Sequence, residues 1–281
     1  MSDGLPLQTV REVLAAGQLP RNEAHILLAH VLGVSRTWLI AHDRDPVPAD
    51  RVQHFLELAS RRQAGEPIAY LVGEREFMGH RFKVSPAVLI PRPETELLVE
   101  TGLECLRDVK APRMLDLGTG SGAIAVSLAL ARPDAEVIAT DRSCDALQVA
   151  RENARSLGAR VTFLEGDWWA ALAPRGGTRF HLIVSNPPYI PANDHHLSEG
   201  DLRFEPVEAL TESGDGLTAI RAIIRDASRW LLPGGALWLE HGYDQATQVR
   251  ALLASAGLSR VESRTDLAGI ERISGGFLHP L

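Results

Sequence analysis

The stretch Asp116-Leu117-Gly118-Thr119-Gly120-Ser121-Gly122-Ala123 predicts how most of this chain folds. It joins a short apolar strand, Arg113 to Leu117, to a helix of small apolar residues, Ala123 to Ala131. Glycines in such a turn adopt positive φ and let the backbone pass close to a ligand. The stretch is therefore typical of a strand-loop-helix that binds a nucleotide-like ligand.

The residues after this loop alternate between predicted strands and helices. Such alternation indicates a mainly parallel, doubly wound sheet with helices on both faces. Together with the first strand, it predicts an α/β fold with a seven-stranded sheet. The other strands are expected near 136–140, 161–164, 180–185, 236–240, 259–264 and 271–278, and helices near 144–157, 216–230 and 244–256.

The front of the chain has a different pattern. Apolar residues at helical spacing predict short helices over residues 5–72. The apolar face of the first helix would contain Leu7, Val10, Val13 and Leu14. We expect these helices to form a small bundle that binds or orients a partner. Tyr70 to Gly73, followed by 76–84, predicts a hairpin with Gly79 at its turn. The expected domains are residues 1–72, a connector at 73–92 with the boundary near residue 85, and residues 93–281.

Composition limits the class of protein. The chain has 281 residues, 45% of them hydrophobic and 23% charged, which is ordinary for a globular protein. A net charge of −7 gives no basic field for nucleic acid. Cys105 and Cys144 make neither a disulfide framework nor a metal set, so no metal is expected. No run reaches ~18 apolar residues and the N-terminus lacks a signal-peptide pattern, so we expect a soluble cytoplasmic protein without membrane contact.

The glycine loop by itself does not identify its ligand. Gly118-x-Gly120-x-x-Ala123, with Asp141 about 20 residues on as a ribose acid, also fits the fingerprint of a dinucleotide-dependent dehydrogenase. Asp116 favours S-adenosylmethionine, because its carboxylate precedes the first glycine and can meet the cationic amino-acid end of that cofactor. A pyrophosphate at that position would be repelled.

Two further stretches bear on the ligand and the reaction. Asp167 and Trp168 follow the third strand, where they can flank the edge and face of an adenine; the alternative is a helix N-cap beside a core tryptophan. Asn186-Pro187-Pro188-Tyr189 follows the fourth strand. The alternative is an ordinary Asn-Pro turn, which is less favoured because the full quartet follows a strand and a nucleotide-type loop lies upstream.

The quartet suits a planar nitrogen nucleophile. The Asn186 amide oxygen can accept a hydrogen bond from an –NH2 group, and the Pro187 carbonyl can accept a second. The prolines lack an N–H, and Tyr189 offers a flat ring on which a planar group can stack. Methyl transfer to such a nitrogen requires positioning and desolvation but no strong general base. We therefore predict transfer of a methyl group to nitrogen.

Motifs along nearly the whole chain resemble those of the bacterial protein-glutamine methyltransferases that modify the Gly-Gly-Gln loop of peptide-chain release factors. The most specific are two blocks, Ile90-Pro91-Arg92-Pro93-Glu94-Thr95-Glu96 and Arg203-Phe204-Glu205-Pro206. The quartet alone is shared with adenine and guanine amine methyltransferases. Further matches include Pro67-x-Ala69-Tyr70-Leu71-x-Gly73, Phe77-Met78-Gly79, Glu240-His241-Gly242 and Asp266-Leu267-Ala268-Gly269 with Arg272.

The resemblance implies S-adenosylmethionine as cofactor and release factors as the protein substrate. Asn186, Pro187 and Tyr189 would act in catalysis, and the glutamine would meet Asn186 to Tyr189. The predicted cofactor contacts are Asp116, Gly118, Thr119, Gly120, Ser121, Gly122, Asp141, Asp167, Trp168 and Asn186. Residues 1–72 would dock the protein substrate.

The alternative function is a nucleic-acid base methyltransferase that uses the same quartet. Such an enzyme flips a base and tracks phosphates, which requires a basic surface. Because the charge balance is negative, no direct nucleic-acid substrate is expected.

Overall fold

The computed structural model describes residues 8–198, 200–212 and 214–279, and within them the chain forms two units. One comprises Met1–Glu74 with Ser198–Phe204, and the other comprises Arg75–Leu197 with Glu205–Leu281. The short segment Ser198–Phe204 thus belongs to the first unit although the chain on either side of it belongs to the second.

The first unit is helical, as its apolar spacing predicts. Thr9 and Glu12 form a capping box at the start of its first helix, and Gly33 ends the second in a left-handed conformation. Val10 and Val13 are buried in its core, whereas Leu7 lies outside the described residues. The helices are α1 (Val10–Ala16), α2 (Arg21–Leu32), α3 (Arg36–Ala41), α4 (Ala49–Gln63) and α5 (Ile68–Val72).

The predicted strand at Tyr70 to Gly73 is wrong, because these residues form and end α5. Pro67 precedes the first turn of that helix, and Gly73 ends it with a φ of 74°. Five consecutive apolar residues fit either structure, so the flanking proline and glycine decided the outcome. The hairpin begins later, as β1 (Glu74–Phe77) and β2 (His80–Lys83), with Gly79 at its turn as predicted.

The second unit contains the predicted α/β sheet. The strands, two of which are short and lie outside this sheet, are β3 (Arg113–Leu117), β4 (Glu136–Asp141), β5 (Thr162–Glu165), β6 (Phe180–Ser185), β7 (Ile190–Pro191), β8 (Thr211–Glu212), β9 (Leu231–Glu240), β10 (Leu258–Thr265) and β11 (Glu271–Leu278). Within the described residues the sheet has seven strands in the order β10-β11-β9-β6-β3-β4-β5. Only β11 runs antiparallel to its neighbours on both sides, so the predicted fold class is confirmed.

Alternate strand residues build a core on each face of the sheet. Met114 and Leu182 pack with the three helices between residues 96 and 157 on one face. Leu115 and Ile183 pack with the two helices between residues 218 and 255 on the other. The chain reverses its direction of sheet growth between β3 and β6, and such a switch point opens a crevice at the carboxyl ends of the strands. The helices of this unit are α6 (Glu96–Cys105), α7 (Ala123–Ala131), α8 (Cys144–Leu157), α9 (Val207–Leu210), α10 (Thr218–Trp230) and α11 (Ala246–Ser255).

The strand predicted at 236–240 is longer than expected. It starts at Leu231, which pairs with Phe180, and Pro233 and Gly234 conceal this start because both residues disfavour strands. Across the described part of the chain, each helix is too short or too polar to cross a membrane.

Candidate functional site

The glycine loop after β3 has the backbone geometry that its composition predicts. Gly118, Gly120 and Gly122 have φ values of 71°, 54° and 82°. The Thr119 N–H donates to the Thr140 carbonyl at 2.9 Å, which ties the loop to the end of β4. The loop therefore holds its backbone at the edge of the sheet, beside a cavity.

Asp116 lies beneath this loop and is fully buried. Its Oδ2 accepts hydrogen bonds from Thr119 Oγ1 at 2.6 Å and from the Ala125 N–H at 3.2 Å. Its Oδ1 has no hydrogen-bond partner among the described residues. Burial raises the pKa of this carboxyl to about 7, since the charged form loses its hydration. Asp116 thus retains an unused acceptor, while Thr119 lies between it and the cavity.

Asp141 ends β4 and faces the cavity. Its Oδ2 accepts from the Gly120 N–H and its Oδ1 from the Ser143 N–H, both at 2.9 Å. A carboxylate oxygen can accept more than one hydrogen bond, so both oxygens remain able to receive hydroxyl donors. Asp141 therefore shapes the loop and also offers the acceptors expected of a ribose-binding acid.

Trp168 lines the cavity beside the loop and has a positive φ of 43°. A Cβ added at Gly118 would lie 3.3 Å from the Trp168 ring, so the glycine lets the ring approach the loop. Asp167 is exposed and makes no capping hydrogen bond through its side chain in the described structure. Trp169 points elsewhere: its Nε1 donates to the Ala222 carbonyl at 3.1 Å and its ring stacks on Trp230.

The quartet follows β6, at the carboxyl edge of the sheet. Asn186 and Pro188 line the cavity, and Asn186 Nδ2 donates to Thr95 Oγ1 at 3.3 Å. Tyr189 turns away into the core, where its hydroxyl donates to Glu240 Oε1 at 3.2 Å and burial raises its pKa. The Tyr189 ring packs beside the core that supports β6, and its face does not line the cavity.

One cavity brings together most of the residues predicted for the site. Those that line it are Gly118, Thr119, Gly120, Ser121, Asp141, Asp167, Trp168, Asn186 and Pro188. Four predicted residues do not line it, namely Asp116, Gly122, Pro187 and Tyr189. Asp116 supports Thr119, which does, and Gly122 caps α7. Tyr189 instead bonds Gln245 and Glu240, and neither of these lines the cavity.

The cavity also has walls to which the sequence reasoning assigned no role. Arg92 lines it and forms an ion pair with Glu205, whose side chain is fully buried. Glu205 Oε2 also accepts from the Ile90 N–H at 3.0 Å. Pro206 and the residues at 208 and 209 line the same side. Arg92, Glu205 and Pro206 lie in the two most specific family blocks, which was the available signal.

Comparison with known proteins identifies the family. The PrmC N-terminal domain matches residues 7–73, and a methyltransferase domain matches residues 108–263. A release factor glutamine methyltransferase of Bordetella pertussis is 61% identical over 96% of this chain and 99% of its own. Its namesake in Burkholderia pseudomallei is 59% identical over 96% of each chain.

A solved structure supports the fold alone. The Thermus thermophilus 16S rRNA N2 G1207 methyltransferase, in complex with AdoMet and guanosine, is 20% identical and superposes with a TM-score of 0.54. The match covers 73% of this chain and 50% of that one.

The sheet order, the glycine loop and the cavity at the carboxyl ends of the strands define a methyltransferase of the S-adenosylmethionine-dependent class. Within that class, the extent of identity to the Bordetella and Burkholderia proteins places the chain more narrowly. It belongs to the release factor glutamine methyltransferase family, which confirms the resemblance seen in its motifs.

Proposed function

We propose that this enzyme transfers a methyl group from S-adenosylmethionine to the side-chain amide nitrogen of the glutamine in the Gly-Gly-Gln motif of release factors. The placement of Asn186 carries the proposal. Its Nδ2 donates to Thr95 Oγ1, so its Oδ1 remains to accept a hydrogen bond in the cavity that the glycine loop lines. The names of its relatives support the same substrate.

The residues of the cavity fit the cofactor. Asp141 offers carboxylate oxygens for ribose hydroxyls, and Trp168 offers a ring face for adenine. Asp116 does not line the cavity, but it bonds Thr119, which does, and its buried Oδ1 lacks a partner in the described chain. When bound, S-adenosylmethionine supplies an electrophilic methyl group. Because residue 118 is a glycine, no side chain at that position crowds the Trp168 ring.

The chain's own groups would then position the nucleophile. The amide nitrogen of glutamine is a weak nucleophile because its lone pair is delocalised. Acceptors at Asn186 Oδ1 and the Pro187 carbonyl would hold its two N–H groups, raise electron density on nitrogen and aim the lone pair. Apolar walls, including Val88, Leu89 and Pro91, would exclude water. The proton becomes acidic on methylation and can leave afterwards, so no strong base is needed.

Two parts of the proposal concern partners and location. The helical unit would dock the release factor, since one glutamine side chain gives the cavity too little surface to select one protein. Direct nucleic-acid substrates are disfavoured by the net charge of −7. Release factors act on ribosomes, so the enzyme would work in the cytoplasm.

The direct test incubates the full chain with labelled methyl donor and either purified release factors or bulk RNA and DNA. The methylated residue of the factors is then mapped by mass spectrometry. We expect label on the Gly-Gly-Gln glutamine alone. Label on RNA or DNA, with none on the factors, would establish the base methyltransferase instead.

Asn186→Ala is the matched variant for this test. Because the lost acceptor orients the nucleophile, we expect kcat to fall at least ~100-fold, in the range seen when a group that stabilises a transition state is removed. Cofactor affinity, measured by calorimetry, should weaken no more than several-fold. A kcat within about threefold of wild type would mean that Asn186 does not orient the glutamine.

A further inference from the structure

Thr95 lies between the amide of Asn186 and a buried carboxyl, and the sequence reasoning gave it no role. Thr95 is 4% exposed and ends the helical turn that starts at Pro93. Its Oγ1 accepts from Asn186 Nδ2 at 3.3 Å. On its other side is Glu240, at the end of β9, and the Thr95 hydroxyl lowers the pKa of that carboxyl.

Glu240 is 2% exposed and only partly satisfied. Its Oε1 accepts from the Tyr189 hydroxyl at 3.2 Å, while its Oε2 has no partner of normal hydrogen-bond geometry among the described residues. An unused buried acceptor costs free energy, so its retention beside the site calls for an explanation. Besides the Tyr189 hydroxyl, the Thr95 hydroxyl stabilises the charged form of this carboxyl and lowers its pKa.

The orientation of the Asn186 amide matters because its two ends have opposite character. The oxygen accepts a hydrogen bond and the nitrogen donates. The –NH2 group of a glutamine can use only the oxygen, so a rotation of the Asn186 amide by half a turn would present a donor to a donor. Something other than the substrate must therefore hold the amide in the productive orientation.

We propose that Thr95 and Glu240 are positioning residues that fix which end of the Asn186 amide faces the substrate glutamine. An ionised Glu240 can only accept hydrogen bonds, so the Thr95 hydroxyl donates its hydrogen bond to Glu240. Thr95 Oγ1 then has only lone pairs to offer Asn186, and it selects Nδ2. The inference rests on the proposed function and deepens it.

Protonation of Glu240 removes this selection. A neutral carboxyl can donate to Thr95 Oγ1, which frees the Thr95 proton to turn toward the Asn186 amide and favour the opposite end. Burial raises the pKa of Glu240 to about 7, Glu94 raises it further, and Arg272 with the two hydroxyls of Thr95 and Tyr189 opposes the rise. The productive orientation is thus favoured above about pH 7 and lost as pH falls through 7.

The kinetic test compares Thr95→Val, Thr95→Ser and Glu240→Gln with wild type in the full chain, at saturating cofactor and release factor. We expect Thr95→Val to lower kcat by about tenfold to a hundredfold, as for the loss of one buried hydrogen bond, and Thr95→Ser to restore it to within about threefold. Glu240→Gln should lower kcat at pH 8 and remove the fall of kcat below pH 7.

Cofactor affinity is the control, since a general disturbance of the cavity would weaken it. We expect the calorimetric Kd of S-adenosylmethionine at pH 8 to stay within about threefold in all three variants. Thr95→Val with wild-type kcat, or Glu240→Gln with an unchanged pH profile, would overturn the proposal.

A second measurement, an NMR titration of the protein, does not depend on the substrate. The side-chain –NH2 resonances of Asn186, assigned by their absence in Asn186→Ala, should titrate near pH 7 in wild type but not in Glu240→Gln. Equal titration in both would overturn the proposal even if the kinetics agreed. If wild type methylates no glutamine, the proposed function fails while this measurement still decides how the amide is oriented.

Discussion

At Asp116, the charge that would favour cofactor binding lowers the stability of the folded protein. Burial raises the pKa of its carboxyl from 3.8 to about 7. The folded state therefore favours the protonated form. The ionised form lowers the stability of the fold, and this loss is absent below the pKa of the unfolded chain and complete above pH 7. A shift of this size corresponds to roughly 4 kcal/mol of unfolding free energy.

Asp116→Asn should therefore stabilise the protein at pH 8, with a gain in Tm that shrinks as pH falls from 7 toward 4. The asparagine oxygen can replace Oδ2, which receives both hydrogen bonds, and the –NH2 group would take the place of the unpartnered Oδ1. If Asp116 reads the cationic end of the cofactor, calorimetry should show weaker binding by ~1.5–3 kcal/mol.

The two measurements separate the roles of this residue. Unchanged cofactor affinity would show that Asp116 only holds Thr119 and the start of α7. A lower Tm at pH 8 would show that the buried charge is compensated in the folded protein.

At the scale of elements, two glycines of one loop have different neighbours. A Cβ at Gly122 would lie 3.1 Å from the Ala150 Cβ on α8, whereas a Cβ at Gly120 meets nothing within 4 Å in the described protein. Gly120 instead lines the cavity. Both have positive φ, so alanine strains the backbone at either position by about 1–2 kcal/mol.

Gly122→Ala should consequently lose more stability, by roughly 2–4 kcal/mol in total, because it adds crowding against α8 to the backbone strain. Gly120→Ala should lose less stability but more cofactor affinity, since its methyl group enters the cavity. Thermal unfolding and calorimetry on the pair check this. The opposite ranking in either measurement would mean that the loop moves away from α8.

At the scale of the whole molecule, the segment Ser198–Phe204 changes how the helical unit can be tested. Within that unit, Arg62 donates to both oxygens of Glu23 at 2.9 Å and to Asp201 Oδ1 at 3.0 Å. These acidic partners raise the pKa of Arg62. Deleting the residues before Ser85 would remove Arg62 and leave Asp201 without its partner, so the full chain is the appropriate material.

Arg62→Ala should lower kcat/KM on intact release factor much more than on a short Gly-Gly-Gln peptide. The substitution removes the partner of Asp201 in the segment Ser198–Phe204, and it disturbs the unit proposed to dock the factor. The matched control is Arg61→Ala, because Arg61 pairs only with Glu66 in the described structure and is 54% exposed. A constant ratio of the two substrates in Arg62→Ala would make the helical unit a structural support.

The sequence by itself determined the elements and the composition of the site. The helix Ala123–Ala131 and the strand Phe180–Ser185 occur at their predicted bounds, because apolar periodicity and glycine caps act over a few residues. The same local signals placed the glycine loop and the quartet at the ends of strands. Parallel strands bring such ends to one edge, so most predicted site residues share one cavity.

Only the tertiary structure decided which side chains meet. Thr95 and Asn186 are 91 positions apart, and Tyr189 and Glu240 are 51 apart, so no local pattern relates them. In the folded chain Tyr189 packs beside the core, and Asp116 accepts a hydrogen bond from Thr119 without lining the cavity itself. The segment Ser198–Phe204 belongs to the helical unit. The physical reason is that burial and pairing depend on packing between distant elements, whereas periodicity and capping report only on neighbours along the chain.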